Sequence, residues 1–116
     1  MSSDDCLFCK ILVGEIPAEL IYESDTAVAF RDVNPQAPTH VLVIPRKHIS
    51  TINDVEQDDQ KIIGSLYTAA REIAAKEGVA DDGYRAVMNC NEGAGQSVFH
   101  IHLHVLGGRR MGWPPG

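Results

Sequence analysis

The sequence predicts an α+β domain, because one long amphipathic helix lies among several short apolar runs that are typical of strands. Apolar residues recur at three- and four-residue steps from Val55 to Ala74, as in a helix with one buried face. The run from His40 to Ile44 is apolar and rich in β-branched residues, which favours a buried strand. The 116 residues suit one domain, predicted over residues 1–116, with residues 111–116 as an extended tail.

Local signals place the individual elements along the chain. A short helix is predicted over residues 6–12, with Ser3 and Asp4 as caps and Gly14 at its end. The long helix is predicted to begin at Asn53 or Asp54 and to close at Gly78. Strands are predicted over residues 20–22, 27–30, 40–44, 84–89 and 98–106.

Charge and composition exclude several classes of partner. Sixteen acidic against ten basic residues give a net charge of −6, and Arg46-Lys47 and Arg109-Arg110 are the only basic pairs. Binding to DNA or RNA needs many more phosphate-neutralising cations, so no nucleic-acid partner is expected. No apolar run approaches the roughly 20 residues of a membrane span, and no membrane partner is expected. Three cysteines, an odd number, favour a reducing cytoplasm.

Three histidines at alternate positions are the most informative feature. His100, His102 and His104 share one face of the predicted strand, while Ile101 and Leu103 lie on the other. Each imidazole brings polar nitrogens that need partners, so a plain apolar core does not explain them. Three interpretations remain: a structurally satisfied or solvated face, a metal site, and metal-free phosphoryl chemistry.

A glycine-bearing loop precedes the histidines and favours phosphoryl chemistry. Gly93 and Gly95 let backbone N–H groups approach an anion closely, and Asn91 and Ser97 can add neutral hydrogen bonds. Such a loop by itself is weak evidence, and a plain turn is the alternative. Its position directly before the histidines is informative, because a phosphate ligand and a nucleophile would then be neighbours.

The segment from Gly95 to Leu106 resembles the signature of the histidine-triad superfamily. Residues 32–40, residues 44–48 and the Trp113-Pro114-Pro115-Gly116 ending narrow the resemblance to the histidine-triad nucleotide-binding branch, which is similar to purine nucleoside phosphoramidases. The resemblance runs from about Cys6 to the C-terminus. It implies a five-stranded antiparallel sheet with one long and one short helix, continued across a homodimer. It also implies hydrolysis of purine nucleoside phosphoramidates without a catalytic cofactor.

The resemblance further implies a role for each site residue. His102 is expected to be the nucleophile that forms a nucleotidyl-phosphohistidine, and Ser97 to contact the leaving group. His104 is expected to bind phosphate oxygens. The other residues expected to bind the nucleotide are Asn91, Gly95 and Gln96 at the phosphate, Asp32 at the ribose, and Phe8, Ile11 and Val33 at the base. The loop between Glu92 and Gln96 is shorter than in animal members.

Cys6 and Cys9 form a CxxC motif with three possible interpretations: a redox pair, half of a zinc site, or two buried thiols. Some bacterial histidine-triad proteins, and the related uridylyltransferases, combine two cysteines with two histidines. The resemblance therefore suggests structural zinc bound by Cys6, Cys9, His48 and His100. The apolar tail with Trp113 is expected to dock at the dimer interface near the partner's leaving-group pocket.

Two rival functions remain open from the sequence. One is dinucleoside polyphosphate hydrolysis or nucleotidyl transfer, as in other histidine-triad branches. The other is a non-catalytic nucleotide-binding scaffold. His40, at the head of an apolar strand, is expected to be a satisfied structural histidine behind the active site.

Overall fold

Five antiparallel strands form one sheet in the computed structural model, which describes residues 5–116. The strands are β1 (Leu20–Glu23), β2 (Ala27–Arg31), β3 (Thr39–Pro45), β4 (Tyr84–Val87) and β5 (Leu103–Gly107), in the order β1-β2-β3-β5-β4. The helices are α1 (Leu7–Leu12) and α2 (Gln60–Lys76). The predicted α+β class and five-stranded antiparallel sheet are confirmed. The continuation of the sheet across a homodimer stays a prediction.

The two helices cover opposite faces of the sheet. Leu66 and Ile73 of α2 pack in one buried cluster with Val41 of β3 and with Ile101 and Val105. A second cluster lies on the other face, where α1 packs against residues of β2 and β3; its buried members are Cys6, Phe8, Val28, Phe30, Leu42 and Ile44. Alternation along β2 and β3 therefore divides their side chains between the α2 and α1 faces.

The histidine segment is a strand over only half of its predicted length. β5 begins at Leu103, so the prediction of a strand over residues 98–106 is wrong in its first part. β3 ends at Pro45, which has no N–H to donate, and the Ile101 N–H instead donates to the Ile49 carbonyl at 2.8 Å. The alternation persists nevertheless, because Ile101 and Leu103 are fully buried in the α2 cluster.

The long helix begins later than predicted. Instead of starting at Asn53 or Asp54, the chain makes two single 3₁₀ turns and enters α2 at Gln60. The Asp54 carboxylate accepts the Thr51 N–H at 3.1 Å, and the Asp59 carboxylate accepts the Glu56 N–H at 2.9 Å. Thr51 and Glu56 both have extended backbones, which interrupts the helix twice. Among residues 5–116, neither helix is long and apolar enough to span a membrane.

The other boundaries shift by smaller amounts. α1 starts at Leu7, with Cys6 as its N-cap, and the predicted caps Ser3 and Asp4 lie outside the described residues. β4 ends at Val87, two residues before the predicted end at Asn89, because Val87 opposite His104 is its last pair with β5.

Gln96 holds the loop that joins β4 to the histidine segment. Its side chain is buried, and its Oε1 accepts the Asn91 N–H at 2.7 Å. Its Nε2 donates to the carbonyls of Ser50 and Val98 at 2.8 and 3.1 Å. Asn91 has a φ of 68°, a left-handed conformation that asparagine tolerates better than most residues. One buried amide therefore ties the loop to the segment before α2.

Replacing this amide is expected to loosen the loop. Gln96→Ala removes three hydrogen bonds, and the free energy of unfolding should fall by about 2–4 kcal/mol. Urea denaturation at fixed protein concentration measures this change. The exposed Gln57→Ala serves as the matched control and should stay within about 0.5 kcal/mol of the parent. Equal stability of the two variants would contradict the role given to Gln96.

Candidate active site

A cavity of about 490 Å³ is lined by α1, the segment after it, and the ends of β2 and β5. Its apolar lining from α1 and the following segment consists of Leu7, Phe8, Ile11, Ile16, Pro17 and Ala18, and Phe30, Val33, Leu42 and Val98 add further apolar side chains. His102, His104, Ser97 and Asp32 bring polar groups into the same lining. A largely apolar cleft with a few convergent polar groups is the usual form of a small-molecule site.

The cavity brings together seven of the ten residues predicted to bind nucleotide: Phe8, Ile11, Asp32, Val33, Ser97, His102 and His104. Asn91, Gly95 and Gln96 lie outside its lining. The N–H of Gly95 donates to the Glu92 carbonyl at 2.9 Å, and that of Gln96 to the Asn91 carbonyl at 3.1 Å. The backbone N–H groups of Gly95 and Gln96 are therefore used in hydrogen bonds within the loop. The Gln96 side chain also stabilises the loop.

Sequence reasoning missed several lining residues. Phe30, Leu42 and His104 lie opposite one another on β2, β3 and β5, so they form a row across one face of the sheet. Alternation could have found Phe30 and Leu42 once the strand order was known. The segment Ile16–Glu19 also lines the cavity, but it has neither helical nor strand periodicity and gives no comparable signal.

The protonation of His102 follows from its hydrogen bond. Its Nδ1 lies 2.8 Å from the carbonyl oxygen of His100, which can only accept. The proton of the neutral ring is therefore on Nδ1, and Nε2 keeps its lone pair. His102 is 7% exposed, and burial lowers its pKa below the ordinary value. An uncharged imidazole with a basic nitrogen thus lines the cavity.

A second chain of hydrogen bonds sets the tautomer of His104. The Gln36 N–H donates to His40 Nδ1 at 2.9 Å, so the proton of neutral His40 is on Nε2. That nitrogen lies 2.9 Å from His104 Nδ1 and 3.3 Å from a carboxylate oxygen of Asp32. His104 therefore accepts at Nδ1 and keeps a proton on Nε2 as a donor. Burial lowers the pKa of His104 to about 4.

Asp32, His40 and His104 also offer three ligand atoms within 4.8 Å of one another. A metal on His40 Nε2 would have to displace the proton that the Gln36 N–H fixes there. The hydrogen-bonded arrangement therefore disfavours a metal at this position. His40 is buried, as expected for a structural histidine whose ring nitrogens are both hydrogen-bonded. Its Nε2 donates a hydrogen bond to His104 Nδ1.

Ser97 lies at the exposed rim of the same cavity. Within residues 5–116, neither its hydroxyl nor its backbone N–H is engaged in a hydrogen bond of the protein. Val33 is fully exposed and Leu7 is 42% exposed. The cavity therefore offers hydrogen-bonding groups of Ser97 and exposed apolar side chains to a ligand.

A second cluster can hold a metal ion. Cys6, Cys9, His48 and His100 each offer one ligand atom, and these four atoms all lie within 4.8 Å of one another. His100 Nδ1 lies 3.3 Å from Cys6 Sγ, 3.5 Å from Cys9 Sγ and 3.2 Å from His48 Nδ1. His48 Nδ1 lies 3.3 Å from Cys9 Sγ. The structure thus brings all four predicted metal ligands together.

The two histidines of this cluster are oriented from outside it. His100 Nε2 lies 2.8 Å from the Pro45 carbonyl, so it carries the proton, and Nδ1 faces the thiols with its lone pair. His48 Nε2 lies 3.3 Å from the Ser50 hydroxyl. Burial lowers the pKa of His100 to about 4 and raises the pKa of the Cys9 thiol to about 11. In metal proteins, such outer contacts orient the ligands.

One hydrogen bond connects the C-terminal tail to β4. Arg85 Nη2 donates to the Gly112 carbonyl at 2.8 Å, while Trp113 is 84% exposed. An apolar groove on the α2 side is lined by Ile52, Val55, Ile63, Tyr67 and Met88. Ile52 and Tyr67 are exposed, so this groove presents apolar side chains at the surface.

Comparisons with known proteins agree with this geometry. The HIT domain model matches residues 13–111. A purine nucleoside phosphoramidase from Escherichia coli K12 is 48% identical over 110 residues, covering 95% of this chain and 92% of that protein. The crystal structure of a HIT family hydrolase from Legionella pneumophila has a TM-score of 0.94 and 56% identity, covering 97% of this chain and 100% of that one.

A histidine triad protein from Clostridium difficile is similar over the same extent. It has a TM-score of 0.92 and 39% identity, and the match covers 97% of each chain. The family model alone covers most of the sequence, and the resemblance carried by the three histidines is confirmed. This chain belongs to the HIT domain family.

Proposed function

We propose that this protein hydrolyses purine nucleoside phosphoramidates, in which an amine is joined to the α-phosphorus, as in conjugates of AMP with an amine or a lysine. The observation that carries the proposal is the bond from His102 Nδ1 to the His100 carbonyl, which leaves Nε2 as a nucleophile on a ring that lines the cavity. The similarity to a purine nucleoside phosphoramidase from Escherichia coli supports the substrate class.

In the first step, His102 Nε2 attacks the α-phosphorus. A phosphorus–nitrogen bond to His102 Nε2 forms, the bond to the amine breaks, and the amine nitrogen takes a proton from the solvent as it leaves. The ring is already uncharged because burial lowers its pKa, so no separate base is needed to activate it. The His100 carbonyl stabilises the positive charge that develops on the ring, since it accepts the hydrogen bond from the Nδ1–H group.

In the second step, water attacks the phosphorus of the nucleotidyl-phosphohistidine. The bond to His102 breaks, the attacking water gives up a proton to the solvent, and the nucleoside monophosphate is released with the His102 ring again neutral. His104 presents its Nε2 proton as a donor to the phosphate oxygens, and the Ser97 hydroxyl contacts the leaving-group side. Preorganised donors of this kind commonly contribute about 3–4 kcal/mol each to transition-state stabilisation.

The remaining lining residues bind the nucleoside. Phe8, Ile11 and Val33 form apolar walls for the purine, and the Asp32 carboxylate accepts from the ribose hydroxyls. One Asp32 oxygen already accepts the Asn34 N–H at 2.8 Å, which fixes the orientation of the carboxylate. Asn91 and the backbone near Gly95 and Gln96 contribute to phosphate binding only if the loop adjusts, because they lie outside the cavity lining.

Removing the nucleophile tests this assignment. His102→Ala should lower the rate of adenosine phosphoramidate hydrolysis by at least about a thousandfold, as expected when a covalent route is lost. The variant should still bind AMP, because the apolar walls and Asp32 are unchanged. Steady-state kinetics and calorimetric titration with AMP measure the two properties. Near-normal hydrolysis by the variant would remove His102 from the role.

We further propose that the cluster of Cys6, Cys9, His48 and His100 holds a structural zinc ion. Neighbouring ligand atoms of a tetrahedral zinc site lie about 3.3–3.8 Å apart, given Zn–N of about 2.0–2.1 Å and Zn–S of about 2.3 Å. The four measured separations, 3.2 to 3.5 Å, are close to this range. Two thiols and two imidazoles are a common zinc donor set, and thiolate ligands suit a reducing compartment such as the cytoplasm.

Metal analysis checks this proposal. Protein purified without a histidine tag should contain about one zinc ion per chain, as expected for a complete four-ligand site. Cys9→Ser should lose most of it, whereas Cys90→Ser, a change at the cysteine outside the cluster, should retain it. Well under one zinc ion per chain in the parent protein would reject the site.

We also propose a homodimer in which the β4 edge and the apolar groove meet a second copy. An unpaired edge strand beside exposed apolar side chains is suited to such pairing. The hydrogen bond from Arg85 to the Gly112 carbonyl ties the tail to β4, and pairing at this edge would bring Trp113 toward the partner's leaving-group pocket.

Deleting residues 111–116 should therefore change substrate preference more than stability. The ratio of kcat/KM values for two adenosine phosphoramidates with different amines should shift severalfold, because the tail contacts the leaving group. Thermal unfolding should change little. A truncated protein with unaltered preference would argue against the placement of Trp113.

A further inference from the structure

We propose that zinc in the cluster of Cys6, Cys9, His48 and His100 and a purine nucleotide in the cavity bind with positive coupling, because both sites share Phe8 and the His100–His102 segment. This inference rests on the proposed function and on the zinc assignment. It adds a positioning role to a metal centre that takes no part in the chemistry.

Helix α1 connects the two sites from one side. Cys6 is its N-cap and Cys9 lies within it, so two of the four ligands belong to this helix. Phe8 lies between them, 3% exposed, with its ring centroid 5.1 Å from that of His102 and 5.4 Å from that of Phe30. A six-residue helix is too short to be stable alone, so its position depends on such contacts.

The histidine segment connects the sites from the other side. The His100 ring faces Cys6 Sγ at 3.3 Å and the Pro45 carbonyl at 2.8 Å. The carbonyl oxygen of His100 accepts a hydrogen bond from His102 Nδ1, and the two atoms are 2.8 Å apart. A metal that fixes the ring of His100 therefore also fixes the main chain that orients the nucleophile.

Shared elements of this kind require reciprocal binding effects. If zinc orders Phe8 and the His100 carbonyl for the nucleotide, the nucleotide must strengthen zinc binding by the same factor. We expect AMP to bind the metal-free protein about fivefold or more weakly than the zinc-loaded protein, which is within the usual range for such coupling. Zinc affinity should rise by the same factor when AMP is saturating.

Two measurements on the full chain test the inference. Calorimetric titration gives the Kd of AMP for the zinc-loaded and the metal-free protein, with circular dichroism to show that the latter is folded. Competition with a chromophoric chelator gives the zinc Kd with and without AMP, after subtraction of the protein-free affinity of AMP for zinc. The second measurement does not require a stable metal-free protein.

Two variants separate coupling from simple loss of a site. Phe8→Leu keeps all four ligands, so it should bind one zinc ion, but the ratio of the two zinc Kd values should fall toward one. Cys90→Ser, outside the cluster, should keep the ratio of the parent protein.

The possible outcomes distinguish failure of the coupling from failure of the zinc assignment or of the proposed function. Zinc and AMP that both bind but do not affect each other overturn the coupling and leave both sites standing. Failure to bind zinc overturns the coupling together with the zinc assignment. Zinc-loaded protein that does not bind AMP contradicts the proposed function as well. The coupling is supported if zinc strengthens AMP binding and AMP strengthens zinc binding by the same factor.

Discussion

The hydrogen bond from His102 Nδ1 to the His100 carbonyl is the constraint on which the site depends. It joins two residues of the same segment, at 2.8 Å, and a carbonyl oxygen can only accept. The bond exists because β3 ends at Pro45 and the chain before Leu103 leaves the sheet, so the His100 carbonyl is available to a side chain. One local interaction thus fixes which nitrogen of the ring keeps its lone pair, and the proposed function assigns that nitrogen as the nucleophile.

The three alternate histidines have three different environments, although they share one face. His100 faces the thiols of α1, His102 lines the cavity, and His104 accepts from His40. Burial lowers the pKa of each, so near neutral pH the rings are uncharged. In the proposed function, oriented donors therefore bind the phosphate group, and these residues form no ion pairs with it. A net charge of −6 is compatible with such a site for a small anion, because the donors act locally.

The sequence predicted much of this arrangement because alternation and helical periodicity are local properties. Alternation correctly predicted that Ile101 and Leu103 lie on the face opposite the histidines, even though the segment before Leu103 is not paired as a strand. The strand order and the meeting of His48 with the CxxC motif depend on long-range contacts, and only the family resemblance suggested the latter. The late start of α2 depends on two competing carboxylate caps, which a hydrophobic pattern does not reveal. Nor does any periodic pattern mark Ile16–Glu19 as cavity wall.

The covalent intermediate is the most direct test of the account. A slowly hydrolysed adenosine phosphoramidate, quenched during turnover at high pH, should leave protein with one bound nucleotide. Peptide mapping by mass spectrometry should locate it on His102, because only that ring combines a free Nε2 with a position in the cavity. Turnover without any adduct, or an adduct on another side chain, would contradict the central claim.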